Sequence, residues 1–349
     1  MASAIAAARQ QINDVGSDGD LDVATPPADL HLDLDAVADA VELPDRKRIY
    51  PPRLHGQPID ELACALLDMQ HPDRSRFLRL VGPPGTGKSQ IARAIAHRLW
   101  TRRGRRIETR HGEPFYGYAE MSGGPSSDEF TFRYEYVPDG EHPGDVRLIP
   151  AAFVEAMQHG WVVMIDEVNT IRDVALLSLN ATLDGRLSLY LPAEGRTVIA
   201  RPGFAVIIAY NPGLVGASDI PDAWHSRFPA TVEVTSNWPA LVKLGADELL
   251  VAAAAALDAK RFDPDAGLVW TPQFRDIEAL CHMIALVGER AAVSLFISNV
   301  HEQIEAGKVQ AAEGAAVARM LDEAGLARLK VSAGGRIPNL HGYPRAVTR

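Results

Sequence analysis

Five short apolar segments along the first two thirds of the chain are candidate strands of one sheet. Residues 161–165 (WVVMI) and 204–209 (FAVIIA) are continuous apolar runs, and residues 77–81, 115–121 and 231–234 are further candidates. Strands that are apolar on both faces and alternate with helices are typical of a parallel sheet covered on both sides. The pattern therefore predicts an α/β fold around a five-stranded parallel sheet.

Two other segments have the pattern of β-hairpins. Residues 130–137 and 145–149 flank a Pro-Asp-Gly turn region, and residues 187–191 and 196–200 flank Pro-Ala-Glu-Gly. Phe130, Phe132, Tyr134 and Tyr136 alternate, which predicts that they share one face of the first hairpin. Packing onto the body and contact with a partner are both compatible with that face.

Helical periodicity and charge divide the chain into four parts. Helices are predicted over residues 59–70 and 89–100, and alanine- and leucine-rich helical segments follow residue 236. The first 45 residues hold ten acidic residues against one base, Arg9, and no aromatic residue, which is typical of a disordered segment. The predicted parts are an acidic disordered tail (1–45), a core with the sheet (46–235), an all-helical domain (236–330) and an irregular tail (331–349).

Composition limits the classes of function. Of the net charge of −10, −9 falls in residues 1–45, so the body is near neutral and argues against a surface built for nucleic-acid phosphates. The two cysteines, Cys64 and Cys281, form no CxxC pair, which argues against a zinc site or a disulfide framework. We found no apolar stretch of membrane-spanning length, and residues 1–8 lack the basic start of a secretory signal, so we expect a cytoplasmic protein.

A glycine-rich sequence after the first strand matches the complete phosphate-binding motif G-x-x-x-x-G-K-[ST]. It is GPPGTGKS followed by glutamine, and the candidate nucleotide-binding residues are Gly82, Pro83, Pro84, Gly85, Thr86, Gly87, Lys88, Ser89 and Gln90. The glycines let consecutive N–H groups point at phosphate oxygens, and the following helix adds its dipole. Lys88 is expected to reach the β- and γ-phosphates of ATP, and Ser89 to ligate Mg²⁺. The motif predicts a P-loop NTPase, a three-layer sandwich, with the helical domain as its lid.

Two carboxylates end the strongest strand candidate. Asp166 and Glu167 follow VVMI, and ligands of α/β sheets bind at the carboxyl ends of the strands. We therefore expect Asp166 to hold Mg²⁺ and Glu167 to polarise the attacking water. A pair of acids favours hydrolysis of ATP over binding alone.

With these motifs the sequence resembles the AAA+ ATPases, and among them the MoxR-like group, over about residues 55–300. The resemblance depends on GPPGTGKS (82–89), DEVN (166–169), IIAYNP (207–212) and HSRF (225–228), and the two hairpins fall where that group carries its insertions. It implies that Asn211 is a sensor of the γ-phosphate, that Arg227 is an arginine finger acting on a neighbouring subunit, and that Arg275 is a second sensor. An Asn-Pro turn, a surface salt bridge and an ordinary helix start are the respective alternatives.

The resemblance also implies an ATP-driven chaperone or remodelling motor. Such a motor works as a homo-oligomeric ring, commonly a hexamer, with a protein substrate or a partner that bears a von Willebrand A domain. The sequence departs from the group's pattern at two places. The strand near residue 121 lacks the polar asparagine expected of a glutamate switch, and the first pore loop SGGPSSDE (122–129) lacks an aromatic gripping residue, which weakens the expectation that polypeptide is threaded. A nucleic-acid-associated motor of the McrB type, a nucleotide switch with low turnover and a small-molecule kinase remain the alternatives.

Overall fold

The computed structural model describes most of the chain from residue 38 onward. The described residues are 32, 38–54, 56–67, 76–110, 112–124, 126–128, 130–139, 145–212, 220–228 and 230–326. Most of the predicted acidic tail and all of the predicted irregular tail (331–349) lie outside them.

The described strands and helices alternate through the core, and helices alone follow it. The strands are β1 (Val41–Glu42), β2 (Arg48–Ile49), β3 (Arg53–Leu54), β4 (Gln57–Pro58), β5 (Phe77–Val81), β6 (Glu108–Arg110), β7 (Glu113–Phe115), β8 (Tyr118–Ser122), β9 (Tyr134–Pro138), β10 (Val146–Pro150), β11 (Val162–Asp166), β12 (Ser188–Leu191), β13 (Arg196–Ile199), β14 (Ala205–Tyr210) and β15 (Ala230–Glu233). The helices are α1 (Ile59–Leu67), α2 (Lys88–Arg102), α3 (Ala152–His159), α4 (Asp173–Leu177), α5 (Asp222–His225), α6 (Trp238–Lys243), α7 (Glu248–Lys260), α8 (Phe274–Val287), α9 (Glu289–Glu305) and α10 (Ala311–Glu323).

Five parallel strands form the central sheet, as predicted. Their order is β15-β5-β14-β11-β8, and each neighbouring pair is parallel. The first four residues of β11 and the first five of β14 are buried, which explains why these two strands carry no polar residue until their last positions. Helices flank the sheet in the manner of an α/β P-loop NTPase. All five strands point their carboxyl ends at one edge, and the segments that follow β5, β11 and β14 meet there.

The second strand of the sheet is shorter than predicted. Instead of one strand over residues 115–121, the chain forms β7, breaks at Gly117 and resumes as β8. Gly117 has φ +69°, and a Cβ there would lie 2.3 Å from the Trp100 ring, so no other residue fits the break without a shift. Because Phe115 is apolar, the sequence pattern did not separate it from the strand that begins at Tyr118.

Both predicted hairpins are present, and the predicted aromatic face of the first forms only in part. β9 pairs with β10 and β12 with β13, each antiparallel. Phe130 and Phe132 lie in the turn that precedes β9, and Phe132 and Tyr134 are buried. Phe130 packs against Tyr134 and Tyr136, with ring centroids 5.1 and 5.3 Å apart, whereas Phe132 packs on Phe153 in the core. The predicted shared face therefore holds for three of the four side chains and fails for Phe132, because Phe130 and Phe132 lie in the turn before the strand and not in the strand.

The end of the predicted acidic tail belongs to the folded core. β1 pairs with β2, and Val41 and Leu43 are buried in the main hydrophobic cluster. The Asp45 carboxylate accepts a hydrogen bond of 2.7 Å from Arg93 in α2. The predicted boundary at residue 45 therefore lies too far along the chain. The number of acidic residues did not reveal that Val41 and Leu43 are core side chains, or that Asp45 pairs with an arginine 48 positions away.

Helices α6–α10 pack around a hydrophobic cluster of their own. Its buried members run from Trp238 to Ala324, whereas those of the main cluster run from Val41 to Val234. Among the described helices, none combines the length and the apolar character needed to cross a bilayer. We refer to α6–α10 as the lid, and its contact with the loop after β5 shapes the site described next.

Candidate functional site

The glycine-rich motif forms a curled loop between β5 and α2. Gly85 and Gly87 have φ +83° and +89°, a left-handed conformation that glycine adopts without steric cost. A Cβ on Gly82 would lie 2.1 Å from the Val234 carbonyl oxygen, so the loop passes directly against the end of β15. α2 begins at Lys88, and the loop therefore surrounds a helix N-terminus, where N–H groups and the helix dipole favour phosphate. We call residues 82–89 the P-loop.

Lys88 is buried at the centre of the site. Its ammonium donates hydrogen bonds to the carbonyl oxygens of Gly82 (2.9 Å) and Pro83 (2.7 Å) and to Oδ1 of Asn211 (2.6 Å). Burial lowers the pKa of Lys88 to about 8; Arg275 acts in the same direction, and the nearby carboxylates Asp166 and Glu167 oppose it. The structure thus brings Asn211, the predicted sensor, into hydrogen-bond contact with Lys88, the predicted phosphate-binding lysine.

Ser89 and Asp166 meet as the sequence predicts. The Ser89 hydroxyl donates to Oδ2 of Asp166 at 3.2 Å, and the Glu167 N–H donates to Oδ1 at 2.9 Å. A hydroxyl next to a carboxylate, both on rigid elements, is the oxygen donor set that Mg²⁺ prefers beside a nucleotide phosphate. These two side chains therefore fit a Mg²⁺ ion.

Glu167 occupies an unusual backbone position directly after β11. Its φ is +51°, an uncommon value for a residue with a side chain, and its carbonyl oxygen accepts the Thr170 hydroxyl at 2.8 Å. The Gly123 N–H, directly after β8, donates to the Asp166 carbonyl oxygen at 2.7 Å. The Glu167 turn is thus fixed from two sides, which is how strained backbone persists at functional sites.

The Gly123 contact allows a test of Glu167 that leaves the P-loop intact. A Cβ at Gly123 would lie 2.6 Å from the Glu167 carbonyl oxygen and 2.7 Å from Cγ1 of Ile171, so Gly123→Ala must displace this turn. We expect ATP turnover to fall by about 10²-fold, the cost of roughly 1 Å of misplacement, while the affinity for ATP is kept.

Gly124→Ala is the matched control for this change. Among the described residues, its Cβ would meet nothing closer than the Ser127 hydroxyl at 3.9 Å. Steady-state kinetics and calorimetry on both variants provide the comparison. Equal turnover of Gly123→Ala and Gly124→Ala would contradict a role for this contact.

Sequence reasoning missed Asn169, which lies one turn beyond the acid pair. Its Nδ2 donates to the Asn211 carbonyl oxygen at 3.1 Å, and its buried Oδ1 has no hydrogen-bond partner among the described residues. Asn169 therefore joins the segment after β11 to the segment after β14. The DEVN motif contained this residue, but only the strand order shows what it contacts.

A cavity of about 430 Å³ adjoins the P-loop. Its walls come from the β1–β2 hairpin and the segment after it (Ile49, Tyr50), from the P-loop side (Thr86, Gln90) and from the lid (Asn237, Phe274). The hairpin and the lid are tied together here, since Nδ2 of Asn237 donates to the Tyr50 carbonyl oxygen at 2.9 Å. The cavity has the size and the position for the nucleoside of a nucleotide bound at the P-loop. Thr86 and Gln90 belong to the predicted nucleotide-binding segment, but no motif in the sequence marked the residues that the hairpin and the lid contribute.

The two predicted arginines lie in different places. Arg275, in the first turn of α8, lines this cavity, and its N–H donates to the Gly85 carbonyl oxygen at 3.1 Å. Arg227 follows α5, where Nη1 donates to the Ala223 carbonyl oxygen. The next residue, Phe228, packs on Phe77 at the start of β5, with ring centroids 5.6 Å apart. Since the P-loop follows the other end of β5, roughly 13 Å along the strand, Arg227 is not brought to the P-loop of its own chain.

Comparison with known proteins agrees with this geometry. Residues 78–228 match the family described as AAA domain (dynein-related subfamily). Such a domain implies nucleotide binding.

The curated relatives are matched over part of their length. They include uncharacterized proteins of Staphylococcus epidermidis (28% identical over 154 residues, 44% of this chain and 54% of the relative) and Staphylococcus saprophyticus (28% over 156 residues, 44% and 54%). Another is from Staphylococcus aureus (26% over 156 residues, 45% and 54%), so the chain spans about half the length of the curated relatives it matches. A crystal structure from Cytophaga hutchinsonii, described as a "putative ATPase", covers 65% of this chain and 73% of its own at 12% identity and a TM-score of 0.37, which supports no further inference.

Proposed function

We propose that this protein is a Mg²⁺-dependent, ring-forming ATPase of the MoxR-like group that remodels a protein partner. The observation that carries the proposal is the meeting of three separate chain segments at one edge of the sheet. Lys88 contacts Asn211 at 2.6 Å, and Ser89 contacts Asp166 at 3.2 Å. Binding of ATP requires the P-loop alone. Hydrolysis also requires the carboxylates after β11 and the asparagine after β14.

Each side chain has a role in this chemistry. Lys88 binds the β- and γ-phosphates, for which it exchanges its present bonds to backbone oxygens and Asn211. Ser89 and Asp166 hold Mg²⁺, which supplies neutralisation of the phosphate charge. Glu167 polarises the attacking water and accepts its proton. Asn211 orients that water and the γ-phosphate, and Arg275 contributes positive charge from the lid.

The position of Arg227 supports the proposed ring. Because this residue lies near the opposite end of β5 from its own P-loop, an arginine finger at this position acts on the nucleotide of a neighbouring copy. The active site is then complete only in an oligomer, and a hexamer is the proposed closed form.

A protein partner is favoured by the surface of the two hairpins. Tyr136, Leu148 and Tyr190 are 65%, 42% and 55% exposed. The hairpins are tied together, because Nε of Arg133, just before β9, donates to the Tyr190 carbonyl oxygen at 3.0 Å in β12. Nη1 of Arg133 also approaches the Ser178 hydroxyl at 3.4 Å, at the end of α4, which follows the Asp166–Glu167 turn. Apolar surface connected to the catalytic segment suits a protein substrate or a von Willebrand A-domain partner.

Substitution of Glu167 tests the hydrolytic function against the nucleotide-switch alternative. Glu167→Gln keeps the shape of the side chain but removes the base, so we expect unchanged ATP binding and turnover lowered by at least about 10²-fold. Phosphate release under saturating ATP is the measurement. The same change at Glu233, exposed at the carboxyl end of β15, is the control. Negligible turnover in the unaltered protein would favour the switch, and stimulation of turnover by DNA would favour a McrB-type motor.

A further inference from the structure

A buried polar cluster connects the end of the sheet, the lid and the P-loop. It consists of Ser236, Asp258, Thr271 and Gln273, which are 7%, 4%, 2% and 2% exposed. Ser236 follows β15, Asp258 lies in α7, and Thr271 and Gln273 precede α8. Four polar side chains at this depth require mutual hydrogen bonds to be tolerated. We refer to them as the hinge cluster.

Gln273 is the central member, because its amide bonds with every other residue of the cluster. Its Nε2 donates to Oδ1 of Asp258 (2.9 Å) and to the hydroxyl of Thr271 (2.9 Å), and its Oε1 accepts the hydroxyl of Ser236 (3.0 Å). The Thr271 hydroxyl also donates to Oδ1 of Asp258 at 2.6 Å. An amide with a donor end and an acceptor end is the group needed between a carboxylate and a hydroxyl.

The first turn of α8 is held by the same cluster and rests on the P-loop. The Phe274 N–H donates to the Ser236 hydroxyl at 3.0 Å, and the Arg275 N–H donates to the Gly85 carbonyl oxygen at 3.1 Å. A Cβ placed on Gly85 would lie 3.3 Å from Cβ of Arg275 and 3.5 Å from Cβ of Gln273. The start of α8 therefore contacts the phosphate-binding loop directly. The hinge cluster and the P-loop thus hold the same turn from two sides.

Arg275 is the charged group whose place depends on this arrangement. It lines the nucleotide cavity, and its positive charge contributes to lowering the pKa of Lys88. Its exposed side chain has no acidic partner among the described salt bridges. The backbone position of α8 therefore sets the distance from which the Arg275 side chain reaches toward the P-loop.

We propose that Gln273 is a positioning residue for ATP hydrolysis, which acts by fixing the first turn of α8 so that Arg275 faces the phosphates. This inference rests on the proposed ATPase function. The Gln273 amide joins the segment after β15, α7 and the start of α8, and these hydrogen bonds hold the first turn of α8 against the P-loop. Loss of the amide leaves the carboxylate of Asp258 short of a buried donor and lets the turn shift.

A double-mutant cycle separates positioning from mere stabilisation. Gln273→Leu is expected to lower kcat by about tenfold to 10²-fold, the range for a misplaced catalytic charge. Arg275→Ala is expected to lower kcat as well. Because Gln273 acts through Arg275, adding Gln273→Leu to Arg275→Ala should lower kcat no further. An equal loss from Gln273→Leu in both backgrounds would overturn the inference.

Exchange of the two hydrogen-bonding groups provides a rescue. Gln273→Glu places a carboxylate against Asp258 and should lower kcat. The double variant Gln273→Glu with Asp258→Asn again pairs one amide with one carboxylate, so most of the lost kcat should return. Gln303→Leu, which removes a half-buried amide bonded to Asn299 in α9, is the control and should leave kcat unchanged. Failure of the exchange to recover any activity would count against the assigned hydrogen bonds.

Two further readouts keep the outcomes distinct. Thermal unfolding shows whether Gln273→Leu remains folded; if it does not, Ser236→Ala, a small change in the same cluster, is taken through the same cycle with the same expected result. Absence of turnover in the unaltered protein would overturn the proposed function and this inference with it. Normal turnover that falls with Arg275→Ala but not with Gln273→Leu or Ser236→Ala would overturn the inference alone.

Discussion

Lys88→Ala is expected to weaken ATP binding by at least about 10²-fold, the largest effect on affinity of any single change in this chain. The ammonium is the charged group at the centre of the P-loop, and hydrogen bonds to charged groups contribute about 1.5–3 kcal/mol each, with tenfold in affinity for every 1.4 kcal/mol. The pKa of Lys88, about 8, leaves the amine charged at pH 7. The affinity for ATP therefore falls because the variant lacks both the positive charge and the side chain that fills the centre of the P-loop.

Calorimetry with ATP at pH 7 is the measurement for this variant. Lys308→Ala, exposed between α9 and α10, removes a lysine that does not line the cavity and should bind ATP like the unaltered protein. The removal of Lys88 also frees Asn211 and two carbonyl oxygens from their bonds to it, so thermal unfolding without nucleotide should be recorded beside the titration. Unchanged affinity in a folded Lys88→Ala variant would refute the P-loop as the phosphate site.

The sheet and the centre of the site could be predicted because they depend on local patterns. β11 and β14 must be apolar on both faces, and a loop that surrounds phosphate must carry glycine at Gly85 and Gly87. Strand order then brings Asp166 and Asn211 to the same edge without further information from the sequence. Each of these features is a physical requirement that a few consecutive residues meet by themselves, so it can be recognised in the sequence.

The cavity and the hinge cluster could not be predicted, because their contacts join distant segments through ordinary residue types. Tyr50 and Asn237 are 187 positions apart, and Ser236 and Gln273 are 37 apart. Neither pair has a spacing or a composition that distinguishes it from exposed loop residues. Asp45 is a related case, since an acid in an acidic segment indicates solvent exposure until its arginine is known. Burial, which the sequence does not state, is what gives these polar groups their roles.

Arg227→Ala is expected to lose most ATP hydrolysis and to keep ATP binding. Arginine fingers contribute on the order of 10³ to 10⁵ in rate to related phosphoryl transfers. The affinity for ATP is kept because Arg227 lies away from the P-loop of its own chain, with Nη1 bonded to Ala223 in α5. Phosphate release and calorimetry measure the two quantities. Arg201→Ala, an exposed arginine before β14, is the control.

Mixing two inactive variants decides whether Arg227 acts on a neighbouring copy. In a mixed ring, an Arg227→Ala subunit keeps an intact Glu167 and receives the finger of a Glu167→Gln neighbour, so partial activity should return. The recovered rate should fall on dilution, because rings dissociate by mass action. A mixture that stays inactive although mixed rings form would exclude Arg227 as the finger. A chain that remains monomeric with ATP at every concentration would exclude the ring, and the nucleotide switch would then be the better account of this site.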